Sequence, residues 1–213
     1  MNSTVMHLLI DSILDGDVSR AIIEVKKLLN AEVKPERIIK EGVAEVMVEL
    51  DKKCTVEYFN LLDIMLAGRV IMAVVTVLYP IGIPSSQANG TIIIGTPEGD
   101  IHDLGKNIVK IMLMGKGYRV IDCGKNCPIE ELINAAEKET ANAIFISGLI
   151  STIIPKVREV KSKLLQRNLK DIKIVAGGGA LKQLTAKRLN VDYVAETVFD
   201  GLNFLKELHE EEL

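Results

Sequence analysis

Apolar residues recur along this chain with two different periods, and the change falls near residue 80. Before that point every segment reads as helix. Val5, Leu8, Leu9, Ser12 and Ile13 fall at three- and four-residue steps, which puts them on one face of a helix over residues 5–14. Asp17 can cap a second helix from Val18 to Leu29, because its carboxylate can accept from the free amides of the first turn. Pro35 has a fixed φ and no amide hydrogen to lose, so it fits the first turn of a third helix reaching Asp51. Thr55 can cap a fourth, in which Leu61, Leu62, Met65, Leu66, Arg69, Met72 and Val75 share one broad face. Four helices with short connections predict a small antiparallel bundle over residues 1–78.

Residues 79–90, Tyr-Pro-Ile-Gly-Ile-Pro-Ser-Ser-Gln-Ala-Asn-Gly, can sustain neither a helix nor a central strand and read as a linker. Beyond it, short apolar runs at Thr91–Ile94, Tyr118–Ile121, Ala143–Ile146, Ile172–Ala176 and Tyr193–Val194 alternate with helical stretches. Those stretches lie at about 104–116, 129–140, 153–168, 180–190 and 198–209. The runs are rich in Ile and Val and apolar on both faces, which a parallel sheet covered by helices requires. The expected class is α/β: a four-helix bundle followed, over residues 91–213, by a flavodoxin-like five-stranded parallel sheet with helices on both faces. In such folds ligands bind beyond the carboxyl ends of the strands.

Composition narrows the function. Hydrophobic residues make up 48 % of the 213 and charged residues 26 %, the profile of a folded soluble domain. The formal net charge of -3 and the lack of a long Lys/Arg block argue against binding driven by nucleic-acid phosphates. The amino terminus lacks a basic flank before its apolar residues, and the run Val70–Tyr79 is too short to span a bilayer. Three cysteines, Cys54, Cys123 and Cys127, are an odd and sparse set that fits a reducing cytoplasm. Cys123-Gly-Lys-Asn-Cys127 has no second ligand pair for a structural zinc site and reads as loop.

The segment richest in chemistry follows the first strand: Gly95-Thr-Pro-Glu-Gly-Asp100-Ile-His102-Asp103-Leu-Gly105-Lys-Asn107. A neutral imidazole ligates first-row metals, and a carboxylate on its other nitrogen fixes the tautomer and raises its basicity. Asp100 is placed for this, with Asp103 as the alternative. The flanking glycines let backbone approach a large flat group. Spacing alone leaves another reading open, in which His102 lies at the surface and Asp100 or Asp103 caps the helix starting at Leu104.

Asp100-x-His102-x-x-Gly105 resembles the signature of cobalamin-binding domains. Ser147-Gly-Leu149 after the third strand and Gly177-Gly178-Gly179 after the fourth resemble that family's two further motifs. The helical residues before the sheet are similar to the amino-terminal module of the corrinoid proteins of methanol, methylamine and aryl methyl ether (O-demethylase) methyltransferase systems. Within that module Tyr58–Arg69 looks like the helix that caps cobalt there.

The resemblance implies a corrinoid bound with its own base displaced, His102 as lower axial ligand of cobalt, and Asp100 coupling that ligation to protonation. Asp103 and Gly105 would complete the loop. Ser147, Leu149 and Ser151 would line the slot for the nucleotide tail, Gly177 and Gly178 would let backbone approach it, and Met65 and Leu66 would cover the upper face. Some relatives place a serine where this chain has Ile153, so a third relay member would have to be Ser151 or Thr152. The implied role is that of a cytoplasmic methyl-carrier subunit rather than a stand-alone enzyme. Cobalt in the +1 state would accept a methyl group from a substrate-specific methyltransferase. A second methyltransferase would pass it to tetrahydrofolate or a thiol, and a reductive activator would serve as a further partner. Neither nucleic acid nor membrane is expected. The alternative is a cobalamin-dependent sensor or regulatory module without methyl transfer.

Overall fold

A computed structural model describes residues 2–53 and 61–211, with side chains over 4–50 and 62–208. The chain forms two compact units, one of residues 1–89 with 111–119 and one of residues 90–110 with 120–213.

The first unit is helical: α1 Asn2–Leu14, α2 Val18–Asn30, α3 Pro35–Ile38, α4 Ala44–Lys53 and α5 Leu61–Leu78. Asp17 caps α2 as its position predicts, its carboxylate accepting from the Arg20 amide at 3.0 Å. Leu9, Ile13, Val25, Leu28, Val46, Met47, Ile71 and Val74 form the buried interior. The third predicted helix is not continuous, because Ile39–Val43 is a π-turn between α3 and α4. Gly42 lies in that turn, and a Cβ there would come 2.9 Å from Met6 Sδ, so the wider turn brings bare backbone against α1. The cap expected at Thr55 and the stretch Tyr58–Asn60 lie outside the described residues.

The second unit contains a five-stranded parallel sheet in the order β2-β1-β3-β4-β5. Its strands are β1 Thr91–Gly95, β2 Arg119–Asp122, β3 Ala143–Ser147, β4 Lys173–Gly177 and β5 Tyr193–Ala195. The helices are α6 Leu104–Gly115, α7 Ile129–Lys138, α8 Ile154–Gln166, α9 Ala186–Leu189 and α10 Val198–Glu211. Every residue of β1 is buried, and β2 and β5, at the edges, are only partly so. One core cluster joins Ile93, Ile144 and Ile174 of the sheet to Leu132, Ile133, Val157 and Val160 of α7 and α8.

The helix expected at 180–190 is instead a series of turns ending in the single helical turn α9. Thr185 is extended, at ψ 157°, and its hydroxyl caps α9 by accepting from the Arg188 amide. An extended residue at that point interrupts any helix begun upstream.

Six of the described helix ends share one device. At Gly16, Glu32, Gly117, Thr140, Asn168 and Asn190 the backbone turns left-handed. The next residue's amide then donates back to a carbonyl five residues earlier, as from Asp17 to Ser12 and from Ala141 to Ala136, at 2.9 Å in both cases. The pattern satisfies carbonyls that the helix leaves open.

Candidate functional site

Strand order reverses between β1 and β3, since the chain goes from β1 to one neighbour and returns to place β3 on the other side. In a doubly wound sheet the crevice at that reversal is where ligands bind. Two loops leave it, Thr96–Asp103 after β1 and Gly148–Ile150 after β3.

Asp100 ties these loops together. It is fully buried, and four hydrogen bonds converge on its carboxylate. Oδ1 accepts from the His102 amide at 2.9 Å and lies 2.7 Å from His102 Nδ1. Oδ2 accepts from the amides of Leu149 at 2.7 Å and Ile150 at 3.3 Å. Burial alone would push the carboxyl group up; the amides of His102 and Leu149, the His102 ring and the Ile150 amide outweigh it and hold the pKa below the ordinary carboxylate value. The group is therefore an anion stabilised by fixed donors.

The His102 side chain is 51 % exposed. With Nδ1 donating to Asp100, the lone pair of Nε2 is left for a ligand. The residues around it are unusual for a surface: Ile101, Leu104 and Leu149 are large apolar side chains, each more than half exposed. A Cβ at Gly105 would stand 3.7 Å from Ser147 Oγ, so a side chain there would fill the gap between the first turn of α6 and the end of β3.

The other expected residues fall as follows. Asp103 pairs with Lys125 at 3.6 Å, which leaves Asp100 as the carboxylate on the imidazole. Gly178 has φ +97°, and a Cβ on it would meet the Gly148 carbonyl oxygen at 2.6 Å. Glycine is thus required there by the packing of two strand ends on each other. Gly177 continues β4 and its carbonyl accepts from the Gly148 amide at 2.9 Å. Ser151 and Thr152 are exposed in a single 3-10 turn, and Ile153 beside them is buried in the core. Asp100 is anchored by the Leu149 and Ile150 amides, with no hydroxyl bonded to its carboxylate among the described residues. In the first unit, Met65 on α5 is 44 % exposed, whereas Leu66 is half-buried and packs against Gly16.

Sequence reasoning missed Lys106 and Asn126. Lys106, only 2 % exposed, donates to both oxygens of Asp122 at 2.6 and 2.7 Å. Asn126 donates its amide to the Asp100 carbonyl at 2.9 Å and accepts from the Gly99 amide at 2.8 Å. The glycine in Gly124-Lys-Asn126 marked a turn, but nothing in the sequence showed which loop that turn supports.

Fold and site together define an α/β binding domain that presents a carboxylate-oriented histidine at the switch point of its sheet. Residues 90–202 match the family described as B12 binding domain, and residues 5–79 match a second family of the same description. Dimethylamine corrinoid protein 1 of Methanosarcina acetivorans is 32 % identical over 192 residues, which span 88 % of this chain and 90 % of that protein. The dimethylamine corrinoid protein of Methanosarcina barkeri is 33 % identical over 196 residues, 90 % of each chain. In fold, the chain is similar to a cobalamin-binding protein from Desulfitobacterium hafniense DCB-2, with TM-score 0.75 over 95 % of this chain and 97 % of that one, at 22 % identity. It is also similar to a chain of the methanol:cobalamin methyltransferase complex from Methanosarcina barkeri, with TM-score 0.78 over 96 % and 79 %, again at 22 % identity. The chain belongs to the corrinoid proteins with B12-binding domains. Among the described residues, no helix is long and apolar enough to cross a membrane.

Proposed function

We propose that the chain binds cobalamin or a related corrinoid base-off, with His102 Nε2 as lower axial ligand of cobalt, and serves as the methyl-carrying subunit between two methyltransferases. The observation that carries this reading is the half-exposed His102 ring held 2.7 Å from a buried Asp100, whose other oxygen is fixed by two backbone amides. A corrinoid fits the residues present. It is large and flat, so the exposed Ile101, Leu104 and Leu149 would be covered by its apolar edge, while Gly105 and Ser147 leave a narrow gap for a tail. Gly177 is the sheet partner of Ser147, and Gly178 and Ser151 would complete the lining of that tail. The bound corrinoid supplies a cobalt that is a nucleophile in its +1 state and can take up and release a methyl group.

The chain's own part is to hold and tune that centre. Asp100 accepts from Nδ1 and so keeps the lone pair of Nε2 available. Because Asp100 is anchored by backbone amides, its position does not depend on a side-chain hydroxyl. Met65, the more exposed, is the better suited of the two cap residues, and Leu66 supports the bundle. The names of the relatives point to a substrate-specific methyltransferase as donor partner, with methylated amines the first substrates to assay. A second methyltransferase with a tetrahydrofolate or thiol acceptor and a reductive activator complete the proposed set.

The test is to load the protein, labelled with 15N-histidine, with cob(II)alamin, desalt it and record the EPR spectrum beside His102→Ala. Retained corrinoid whose axial nitrogen splitting changes from three lines to two on labelling supports His102 ligation, and that signature is absent from the variant. Failure to retain corrinoid, or a splitting insensitive to the label, would falsify the assignment.

A further inference from the structure

Cys123 and Cys127 flank a three-residue bulge, Gly124-Lys125-Asn126, at the end of β2. The Cys123 amide donates to the Ile94 carbonyl at 2.9 Å, which sets Cys123 opposite Gly95 of β1. The Cys127 amide donates to the Thr96 carbonyl at 2.9 Å and its carbonyl accepts from Glu98 at 2.8 Å, which makes a parallel bridge to Pro97. Gly95 and Pro97 are two residues apart. The bulge therefore brings the two cysteines to positions equivalent to i and i+2 of one strand. Such residues share a face, with Cα atoms about 6.6 Å apart. Disulfides span Cα separations of about 4.4–6.8 Å, so this spacing is at the upper end, and it is the hydrogen bond between the two thiols that brings the sulfurs within reach of each other.

The side chains agree with this placement. A Cβ on Gly95 would lie 3.6 Å from Cys123 Cβ and 2.6 Å from Leu132 of α7, and buried Cys127 belongs to the cluster containing Leu132, with Cys123 packed against it. Cys127 Sγ is 3.7 Å from Glu131 Oε2, also on α7. The thiols differ in access, since Cys123 is half-buried and Cys127 buried. They also differ in acidity: the hydrogen bond from Cys127 pulls the Cys123 thiol down, and that same contact together with burial pushes Cys127 up.

We propose that Cys123 and Cys127 are a reversible dithiol–disulfide site, with Cys123 as the attacking sulfur, whose oxidation braces the loop that carries His102. The oxidant is a small organic disulfide. The Cys123 thiolate attacks one of its sulfurs, a mixed disulfide forms and one thiolate leaves. Cys127 passes its proton to Glu131 as its sulfur attacks Cys123, and the second thiolate leaves. One sulfur–sulfur bond breaks and one forms, and the two protein protons end on the two small thiols. The brace reaches the site through Asn126, which lies between the cysteines and is bonded to both Asp100 and Gly99. The site requires no bound corrinoid, so it stands or falls independently of the proposed methyl-carrier role.

The test uses the full chain without corrinoid, treated with 2-hydroxyethyl disulfide and analysed by peptide mass spectrometry. The expected product is the peptide containing residues 123–127 lighter by two hydrogens, restored by a reductant. Cys127→Ser should trap a stable adduct on Cys123, and Cys123→Ser should leave Cys127 unmodified. In the oxidised wild type, deuterium uptake over residues 96–102 should slow relative to the reduced protein. Independent adducts on both cysteines, or a bridge to Cys54, would overturn the pair, adduct formation at Cys127 first would overturn the order of attack, and equal uptake would overturn the brace.

Discussion

Among the described residues Lys106 has the largest fully buried side chain, and its ammonium rests against both oxygens of Asp122 and against Asn107 Oδ1 at 2.8 Å. Taking an ammonium out of water is unfavourable unless its donors are all met, and removing one partner of such a pair leaves the other charge uncompensated. Asp122 has two further donors, Lys110 at 3.1 Å and the Gly124 amide at 2.9 Å. Burial raises the Asp122 carboxyl group, but Lys106, Gly124 and Lys110 together hold its pKa below the ordinary value. A carboxylate with a depressed pKa in the folded state stabilises the fold above its unfolded pKa, and that contribution is lost as pH falls through the folded value. Lys106→Met should therefore destabilise the protein by about 3 kcal/mol at neutral pH, the low end for a broken buried pair because two donors remain. The difference between wild type and variant should shrink as urea titrations are carried from pH 7 down through pH ~4 and below, where unpaired carboxylates protonate. A difference independent of pH would mean that Lys106 acts through packing alone.

Among the elements, helix termini carry the most legible cost. A left-handed residue with a side chain is strained by about 1–2 kcal/mol, least for Asn and most for a β-branched residue. Thr140, at φ 47°, ends α7, and Glu32, at φ 58°, ends α2. Thr140→Gly should raise stability by about 1 kcal/mol, read as a higher urea midpoint at unchanged slope. The same change at Asn168, where the strain is smaller, should do little. The strands were readable to within a residue or two because each is a short apolar run, buried throughout in β1 and at least partly so at the edges, and the first four end at Gly, Asp or Ser. Asp17 and Pro35 likewise marked helix starts through local chemistry. The π-turn at Ile39–Val43 and the broken 180–190 stretch were not legible. Both depend on contacts distant in sequence or on one extended residue, and helical periodicity does not register either.

For the whole molecule, the candidate site was readable where residues and sheet topology act together. His102 and Asp100 stood in one motif, and three motifs fell at strand ends, so a parallel sheet had to bring them to one edge. What the sequence could not show was the partner set: Leu149 and Ile150 amides on Asp100, Asn126 beneath it, and Lys106 with Asp122. Backbone donors carry no residue signature, and pairs formed across loops have no periodicity. The division into two units adds a consequence at this scale. Helix α6 is shared, with Leu104–Lys110 in the second unit and Ile111–Gly115 in the first. A helix opens cooperatively, because each amide bond depends on the turn before it. A ligand held by the second unit should then protect α6 along its whole length. With hydroxocobalamin at a hundred times its dissociation constant, folding gains about 2.7 kcal/mol by mass action. Peptide-resolved hydrogen exchange should show slower uptake at residues 96–110, where the proposed ligand binds, and continuing through residues 111–115. His102→Ala should weaken both effects together. Protection that stops at Lys110 would show that the two units respond separately despite the helix they share.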